Sequence, residues 1–129
     1  MAVIGIGIDV VEVARARAMI ERHGDRILFR TLTDEERAYV ATLGDAAPAF
    51  AARLAAKEAM YKALQVFGGA REIGWRDLGV ARGPDGRPGA TLSGKAALLA
   101  ATHAVRVHLS LSHSRDVAAA VAVLERGDS

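Results

Sequence analysis

Two carboxylates, Asp9 and Glu58, stand out in this sequence because both lie in segments that are otherwise apolar or small. Asp9 ends the run IGIGID. Glu58 lies in FAARLAAKEAMYKAL, where Lys62 follows one helical turn later. Mg²⁺ prefers oxygen ligands and is typically held by one or two carboxylates together with substrate phosphates. The pattern therefore suggests a hard divalent cation on Asp9 and Glu58, with Lys62 neutralising phosphate charge.

Each carboxylate also has a simpler interpretation. Asp9-x-x-Glu12 is the spacing of an N-terminal helix cap, which would stabilise the following helix by about 1 kcal/mol. Glu58 and Lys62 have the i,i+4 spacing of a solvated ion pair worth about 0.2–0.5 kcal/mol. Against this second interpretation, apolar residues flank the pair on both sides, and partly buried charges need a partner, a metal or a ligand.

The glycines before Asp9 argue for more than a cap. Gly5, Gly7 and Asp9 alternate with isoleucines, so they share one face of a predicted strand that carries no other side chains. Glycine weakens a strand and usually marks a close approach of other atoms. A divalent ion with phosphate oxygens would fill this cleared face.

The elements that position these residues follow from periodicity and from turn residues. Strands are predicted at 2–9, 76–82, 88–92, 105–112 and 117–124, and helices at 10–23, 33–43, 49–66 and 93–102. This order favours an α+β fold with a largely antiparallel sheet and a long central helix over a doubly wound parallel sheet. We expect one domain over residues 1–125, followed by a frayed tail at 126–129.

Composition excludes several classes of function. The 129 residues include no cysteine, so thiol catalysis, disulfides and thiolate metal sites are absent. The net charge is +2 and the chain has only six aromatic residues, a balance that does not favour nucleic-acid binding. No apolar run is long enough to span a bilayer, and no secretory leader is recognisable at the start. We expect a soluble, cytoplasmic protein without membrane contact.

Three motifs resemble one enzyme family. GIGIDVVEVAR (5–15), FAARLAAKEAMYKAL (50–64) and LSLSHSRDVAAAVAV (109–123) occur in the order and at the separations found in holo-[acyl-carrier-protein] synthases. These are small 4′-phosphopantetheinyl transferases, and the resemblance covers nearly the whole chain. It implies their fold and their reaction, in which 4′-phosphopantetheine moves from coenzyme A to a serine of apo-acyl carrier protein. The other product is adenosine 3′,5′-bisphosphate, and the pathway served is fatty acid or polyketide biosynthesis.

The resemblance also assigns roles to residues. It implies that Asp9 and Glu58 bind Mg²⁺, with Mn²⁺ as a substitute, and that Lys62 contacts the phosphates. The general base stays open between a carboxylate such as Glu58 and a metal-bound water. The residues expected to contact coenzyme A are Arg53, Lys57, Lys62, Ser112, His113 and Ser114. Without the resemblance, Arg53 and Lys57 would be surface charges and His113 a structural or surface histidine.

A basic helix face is the expected docking surface for the carrier. Arg15, Met19 and Arg22 follow i, i+4, i+7 spacing, and Arg26 lies just beyond. A solvated basic face is the simpler interpretation, but the family docks its small acidic carrier on this helix. The resemblance further implies a homotrimer with active sites between subunits.

Two other functions fit parts of the sequence. A nucleotide-binding module without catalysis would keep a phosphate pocket but would not need both carboxylates on one ion. The run GIGID lacks the third glycine of a dinucleotide site, so a Rossmann interpretation is weak. A small domain that binds RNA or DNA would usually carry a larger charge excess and exposed aromatic platforms.

Overall fold

The structure is a computed structural model that describes residues 2–127. The strands are β1 (Ala2–Glu12), β2 (Leu78–Arg82), β3 (Pro88–Leu92), β4 (Val105–His113) and β5 (Val117–Arg126). The helices are α1 (Val13–His23), α2 (Asp25–Thr31), α3 (Asp34–Ala41), α4 (Ala47–Leu64) and α5 (Gly94–His103). Two short 3₁₀ turns, Ala70–Glu72 and Trp75–Asp77, lead from α4 into β2.

The strands form two antiparallel units. The main sheet has the order β1-β5-β4, and β2 pairs with β3 in a separate hairpin. The long helix α4 packs on one face of the main sheet and contributes half of the largest buried residues. The predicted α+β class, with its antiparallel sheet and long central helix, is confirmed.

The boundary between β1 and α1 differs from the prediction. β1 continues to Glu12, because the ladder with β5 extends to the pair Glu12 and Val117. The residue before α1 is Glu12, and no side chain caps that helix. Asp9 lies within the strand opposite Ala120. The interpretation of Asp9 as a helix cap is therefore wrong, since strand pairing overrides the local cap spacing.

Helix α2 was not predicted. Its seven residues follow Gly24, whose φ of 59° ends α1, and it stops at the extended residue Leu32. A helix this short leaves too little periodicity to detect, and it depends on tertiary packing. The capping box predicted at Thr33 and Glu36 is present: each side chain accepts a hydrogen bond from the other residue's backbone N–H.

The glycines of β1 make room for helix α4 and not for a ligand. A Cβ on Gly7 would lie 2.8 Å from the carbonyl carbon of Ala59 and nearer still to its oxygen. A Cβ on Gly5 would lie 2.7 Å from the carbonyl oxygen of Ala63. The expectation that an ion and phosphate oxygens fill this cleared face is therefore wrong. Backbone packing of α4 against β1 fills it.

The opposite face of the sheet is apolar and uncovered in the single chain. Ile6, Ile8 and Val10 of β1 are 64%, 59% and 57% exposed. Beside them, Val121 and Val123 of β5 are half-buried.

At the C-terminal end, Arg126 still pairs with Val105, so the predicted fraying at residue 126 is wrong. The rest of that predicted tail includes residues 128–129, which lie outside the described residues.

None of the helices described for residues 2–127 combines the length and the apolar character needed to cross a bilayer.

Candidate active site

Asp9 and Lys62 meet where β1 crosses α4. Strand β1 carries Asp9 two residues beyond Gly7, on the face that packs against the helix. The Lys62 ammonium donates hydrogen bonds to Asp9 Oδ1 at 3.0 Å and to the Ile8 carbonyl oxygen at 3.0 Å. The Lys62 side chain is half exposed and that of Asp9 is one-fifth exposed. This lysine therefore stays accessible to an anion while holding the carboxylate.

Glu58 lies one helical turn before Lys62 and faces a cavity. The cavity has a volume of about 310 Å³ and is lined by Glu58, Tyr61, Ile73, Gly74, Trp75 and Leu78. Its walls are mostly apolar, and Glu58 is its acidic group. Asp9 is thus in contact with Lys62, whereas Glu58 is related to Lys62 by helical spacing alone.

The donor types of Asp9 and Glu58 fit a hard divalent cation. No group of three or more His, Asp or Glu side chains within residues 2–127 is arranged to hold a metal. Mg²⁺ is commonly bound by one or two carboxylates, and substrate phosphates and waters fill its remaining coordination positions. The exposed Lys62 is the only partner that Asp9 Oδ1 has in the described structure.

A second cavity brings Arg53 and His113 together. It has a volume of about 360 Å³, and Tyr39, Arg82 and Leu111 also line it. The Arg53 guanidinium lies 4.7 Å from the centre of the Tyr39 ring, and its buried Nε has no hydrogen-bond partner among residues 2–127. Burial lowers the pKa of Arg53, opposed by the charge of Glu36. A buried cation with an unpaired N–H is well suited to an anionic ligand.

Lys57 has a different role from the predicted one. Its side chain is completely buried and forms an ion pair with Glu36, with Nζ 2.7 Å from Oε1. The ammonium also donates to the carbonyl oxygens of Trp75 at 3.2 Å and of Leu78. Burial lowers the pKa of Lys57, and the charge of Glu36 opposes this shift. All three protons are engaged inside the core, so the expectation that Lys57 contacts coenzyme A is wrong.

The predicted serines flank His113 without entering its cavity. Ser112 alternates with Leu111 and His113 on β4, so it faces the opposite side of the sheet. Ser114 shapes the turn into β5, where its hydroxyl accepts hydrogen bonds from the Asp116 and Val117 N–H groups. Within one chain, neither serine joins the site around Arg53.

The basic helix face is present on the surface. Arg15 and Arg22 of α1 are exposed, and Met19 between them is half-buried against the core. Arg26 is exposed on α2, beyond the break at Gly24. The four residues thus span two consecutive helices.

Four residues of these sites escaped the sequence analysis. Glu36 was recognised only as part of a capping box, although it also neutralises Lys57 from 21 residues away. Tyr39, Trp75 and Arg82 line the cavities through tertiary contacts alone. The unusual apolar setting of Lys57 was a signal that a partner exists, but nothing local identified which acid it is.

Comparison with known proteins identifies the family of this chain. Residues 5–122 match the family model of the 4′-phosphopantetheinyl transferase superfamily. A holo-[acyl-carrier-protein] synthase of Koribacter versatilis is 44% identical over 124 residues, which cover 95% of this chain and 98% of that protein.

Solved structures show the same fold. The holo-[acyl-carrier-protein] synthase of Neisseria meningitidis superposes with a TM-score of 0.86 at 28% identity, covering 97% of this chain and all of the other. The Bacillus anthracis synthase, in complex with CoA (3′,5′-ADP), gives a TM-score of 0.79 at 34% identity, over 97% and 98% of the two chains. The chain therefore belongs to the 4′-phosphopantetheinyl transferase superfamily, among the holo-[acyl-carrier-protein] synthases.

Proposed function

We propose that this chain transfers 4′-phosphopantetheine from coenzyme A to a serine of an apo-acyl carrier protein in fatty acid or polyketide biosynthesis. The serine oxygen attacks the phosphorus that bears pantetheine, and the bond from this phosphorus to the bridging oxygen breaks. The bridging oxygen leaves with adenosine 3′,5′-bisphosphate, while the serine proton passes to a base. The observation that carries the proposal is the contact of Asp9 with Lys62, one helical turn from Glu58.

Lys62 stabilises the charge that develops during the displacement. Phosphoryl transfer depends mainly on positioning and on electrostatic stabilisation of the phosphate oxygens. The Lys62 ammonium is half exposed and is held in place by Asp9 and by the Ile8 carbonyl, so it meets the phosphates already oriented. Asp9 and Glu58 are the residues that would hold Mg²⁺ or Mn²⁺. Such an ion, when bound, neutralises pyrophosphate charge and lowers the barrier to displacement.

The cavity of Arg53 and His113 receives the adenosine bisphosphate half of coenzyme A. The Nε of its buried guanidinium is unpaired within the described part of the chain, and Arg82 lines the cavity with a second positive charge. The Bacillus anthracis relative binds this same ligand. Ser112 and Ser114 lie outside this cavity in their own chain, so we propose that they contact coenzyme A bound to a neighbouring subunit.

The carrier docks on the exposed basic face of Arg15, Met19, Arg22 and Arg26. Arginines around a methionine suit an acidic helical partner, because charge steers the encounter and the apolar centre makes close contact. The resulting association is expected to weaken with salt.

The assembly is proposed to be a homotrimer built on the uncovered sheet face. Ile6, Ile8 and Val10 expose an apolar strip that a soluble monomer rarely presents. Asp9 lies on the same strand between Ile8 and Val10 but on its opposite face, so packing of subunits on the uncovered face would fix the strand that holds the catalytic carboxylate. The test is the solution mass: the Ile6→Lys variant should elute as a 13.6 kDa monomer and lose activity.

One experiment tests the proposed reaction. The purified chain is incubated with coenzyme A, Mg²⁺ and an apo-acyl carrier protein, and the carrier is weighed by intact-mass spectrometry. The expected result is the gain of one phosphopantetheine arm, which is abolished by chelation and restored by Mg²⁺ or Mn²⁺. A nucleotide-binding module without catalysis would bind coenzyme A but leave the carrier mass unchanged.

A further inference from the structure

The buried pair Glu36–Lys57 bonds to backbone groups of residues that line the two cavities. Lys57 donates to the carbonyl oxygens of Trp75 and Leu78. The free carboxylate oxygen of Glu36 accepts a hydrogen bond from the Val80 N–H at 3.0 Å. One ion pair therefore fixes three backbone groups within the segment 75–80.

These backbone groups belong to residues that shape both cavities. Trp75 and Leu78 line the cavity of about 310 Å³ together with Glu58. Val80 lines the cavity of about 360 Å³ that contains Arg53. The first part of the segment is a 3₁₀ turn whose other hydrogen bonds run to Gly74, Ser93, Leu32 and Asp34. Among the hydrogen bonds of the described residues, those of Lys57 are the ones that join this segment to α4.

We propose that Glu36 and Lys57 are a positioning pair that sets the segment 75–80 against Glu58 and thereby controls turnover. This inference rests on the proposed function for its kinetic consequence, but its structural part does not. Neither residue touches substrate, because both side chains are completely buried.

Stability alone is a poor explanation for this pair. Replacing a buried ion pair by well-packed apolar residues is often neutral or stabilising, whereas removing one partner leaves a costly unpaired charge. What an apolar replacement cannot reproduce is the set of hydrogen bonds to Trp75, Leu78 and Val80. The pair is therefore best understood through the geometry that it imposes on this segment.

A double variant separates geometry from stability. Glu36→Gln combined with Lys57→Met removes both charges of the pair together, so neither member of the pair is left as an unpaired ion, while the bonds to the Trp75 and Leu78 carbonyls disappear. Arg53 also loses the charge of Glu36, so the KM for coenzyme A is measured alongside kcat. The control applies the same chemical change to an exposed pair, Glu72→Gln combined with Lys95→Met, whose charged groups are 3.4 Å apart at the surface.

Trp75 provides a readout independent of activity, because it is the only tryptophan in the chain. In the double variant at a temperature where circular dichroism shows it folded, we expect Trp75 emission to shift to longer wavelength and acrylamide quenching to increase. We expect kcat to fall by about 10- to 100-fold, the size of effect that a small misplacement at an active site produces. The KM for the carrier should stay unchanged, and the control should match the wild type in all three measurements.

The inference is overturned if the folded double variant keeps the wild-type Trp75 emission, quenching and kcat. If the double variant does not fold, Glu36→Gln combined with Lys57→Gln replaces it. The side chain introduced by Lys57→Gln is shorter than that of lysine and cannot reach the carbonyls of both Trp75 and Leu78, so the same spectral and kinetic changes are expected. A wild-type protein that transfers no phosphopantetheine refutes the proposed function, and the fluorescence comparison then still decides whether the pair positions the segment.

Discussion

Backbone of α4 packs directly against Gly7 of β1, and this contact predicts a large effect of adding a single methyl group at Gly7. The Cβ of Gly7→Ala would approach the Ala59 carbonyl carbon to 2.8 Å, where an ordinary contact begins at 3.4 Å. The obstructing atoms belong to helix backbone, so no side chain can rotate away. The helix must retreat from the strand by more than about 0.5 Å along much of its contact.

The expected cost lies at the upper end of the range for overpacked cores, about 3 kcal/mol. For a chain of this size this corresponds to a fall of roughly 10 °C in Tm. The displacement also separates Asp9 on the strand from Lys62 on the helix, so the activity of the remaining folded protein should fall as well. Both effects have one physical cause.

Thermal unfolding and the carrier mass assay measure the two effects on the same preparation. Gly44→Ala is the matched control, because an added Cβ at Gly44 meets nothing within 4 Å and its φ is not positive. The control should change the free energy of unfolding by no more than about 0.5 kcal/mol. If Gly7→Ala unfolds and turns over like the control, the packing of α4 against β1 does not position the site.

Three further predictions concern charged groups. Arg53→Ala should raise the KM for coenzyme A by about 10- to 100-fold, the value of a lost charge-assisted hydrogen bond, with little change in the KM for the carrier. Reversing Arg15 and Arg22 to Glu should raise the KM for the carrier, leave the KM for coenzyme A unchanged, and remove the salt dependence of the rate. The Arg37 guanidinium holds the pKa of Asp34 below its ordinary value, so stability from this pair is present at neutral pH and is lost as the pH falls through that lowered pKa. In Arg37→Ala, NMR titration should show the Asp34 pKa moving up towards its ordinary value.

The sequence was sufficient to predict the fold class because most elements are encoded locally. The turn GPDGRP, the capping box at Thr33 and the alternation in β4 each specify one element without help from distant residues. The predicted start of α1 was wrong because the spacing Asp9-x-x-Glu12 is also typical of an N-terminal helix cap. Residues 9–12 are a strand because they pair with β5, which lies more than 100 residues away in sequence.

The site was predictable where a residue's setting was anomalous and unpredictable where its partner was distant. Glu58 and Lys62 lie among alanines on α4, and this apolar setting predicted that the two charges have a partner or a ligand. Lys62 does contact Asp9. The same reasoning misjudged Lys57, because its partner Glu36 carries no local sign of being buried. The glycines of β1 correctly predicted a close approach of other atoms to this face. A helix backbone and a ligand require the same free space, so the sequence did not indicate which of them fills it.

The central claim is that Asp9 and Glu58 together hold one divalent ion, and binding of Mn²⁺ tests it most directly. Mn²⁺ is titrated into the protein with coenzyme A present, and the free ion is measured by electron paramagnetic resonance, so no turnover is required. The claim predicts one bound ion per active site in the wild type and a large loss of affinity in both Asp9→Asn and Glu58→Gln. Wild-type affinity in either variant, with its fold intact by circular dichroism, would contradict the claim.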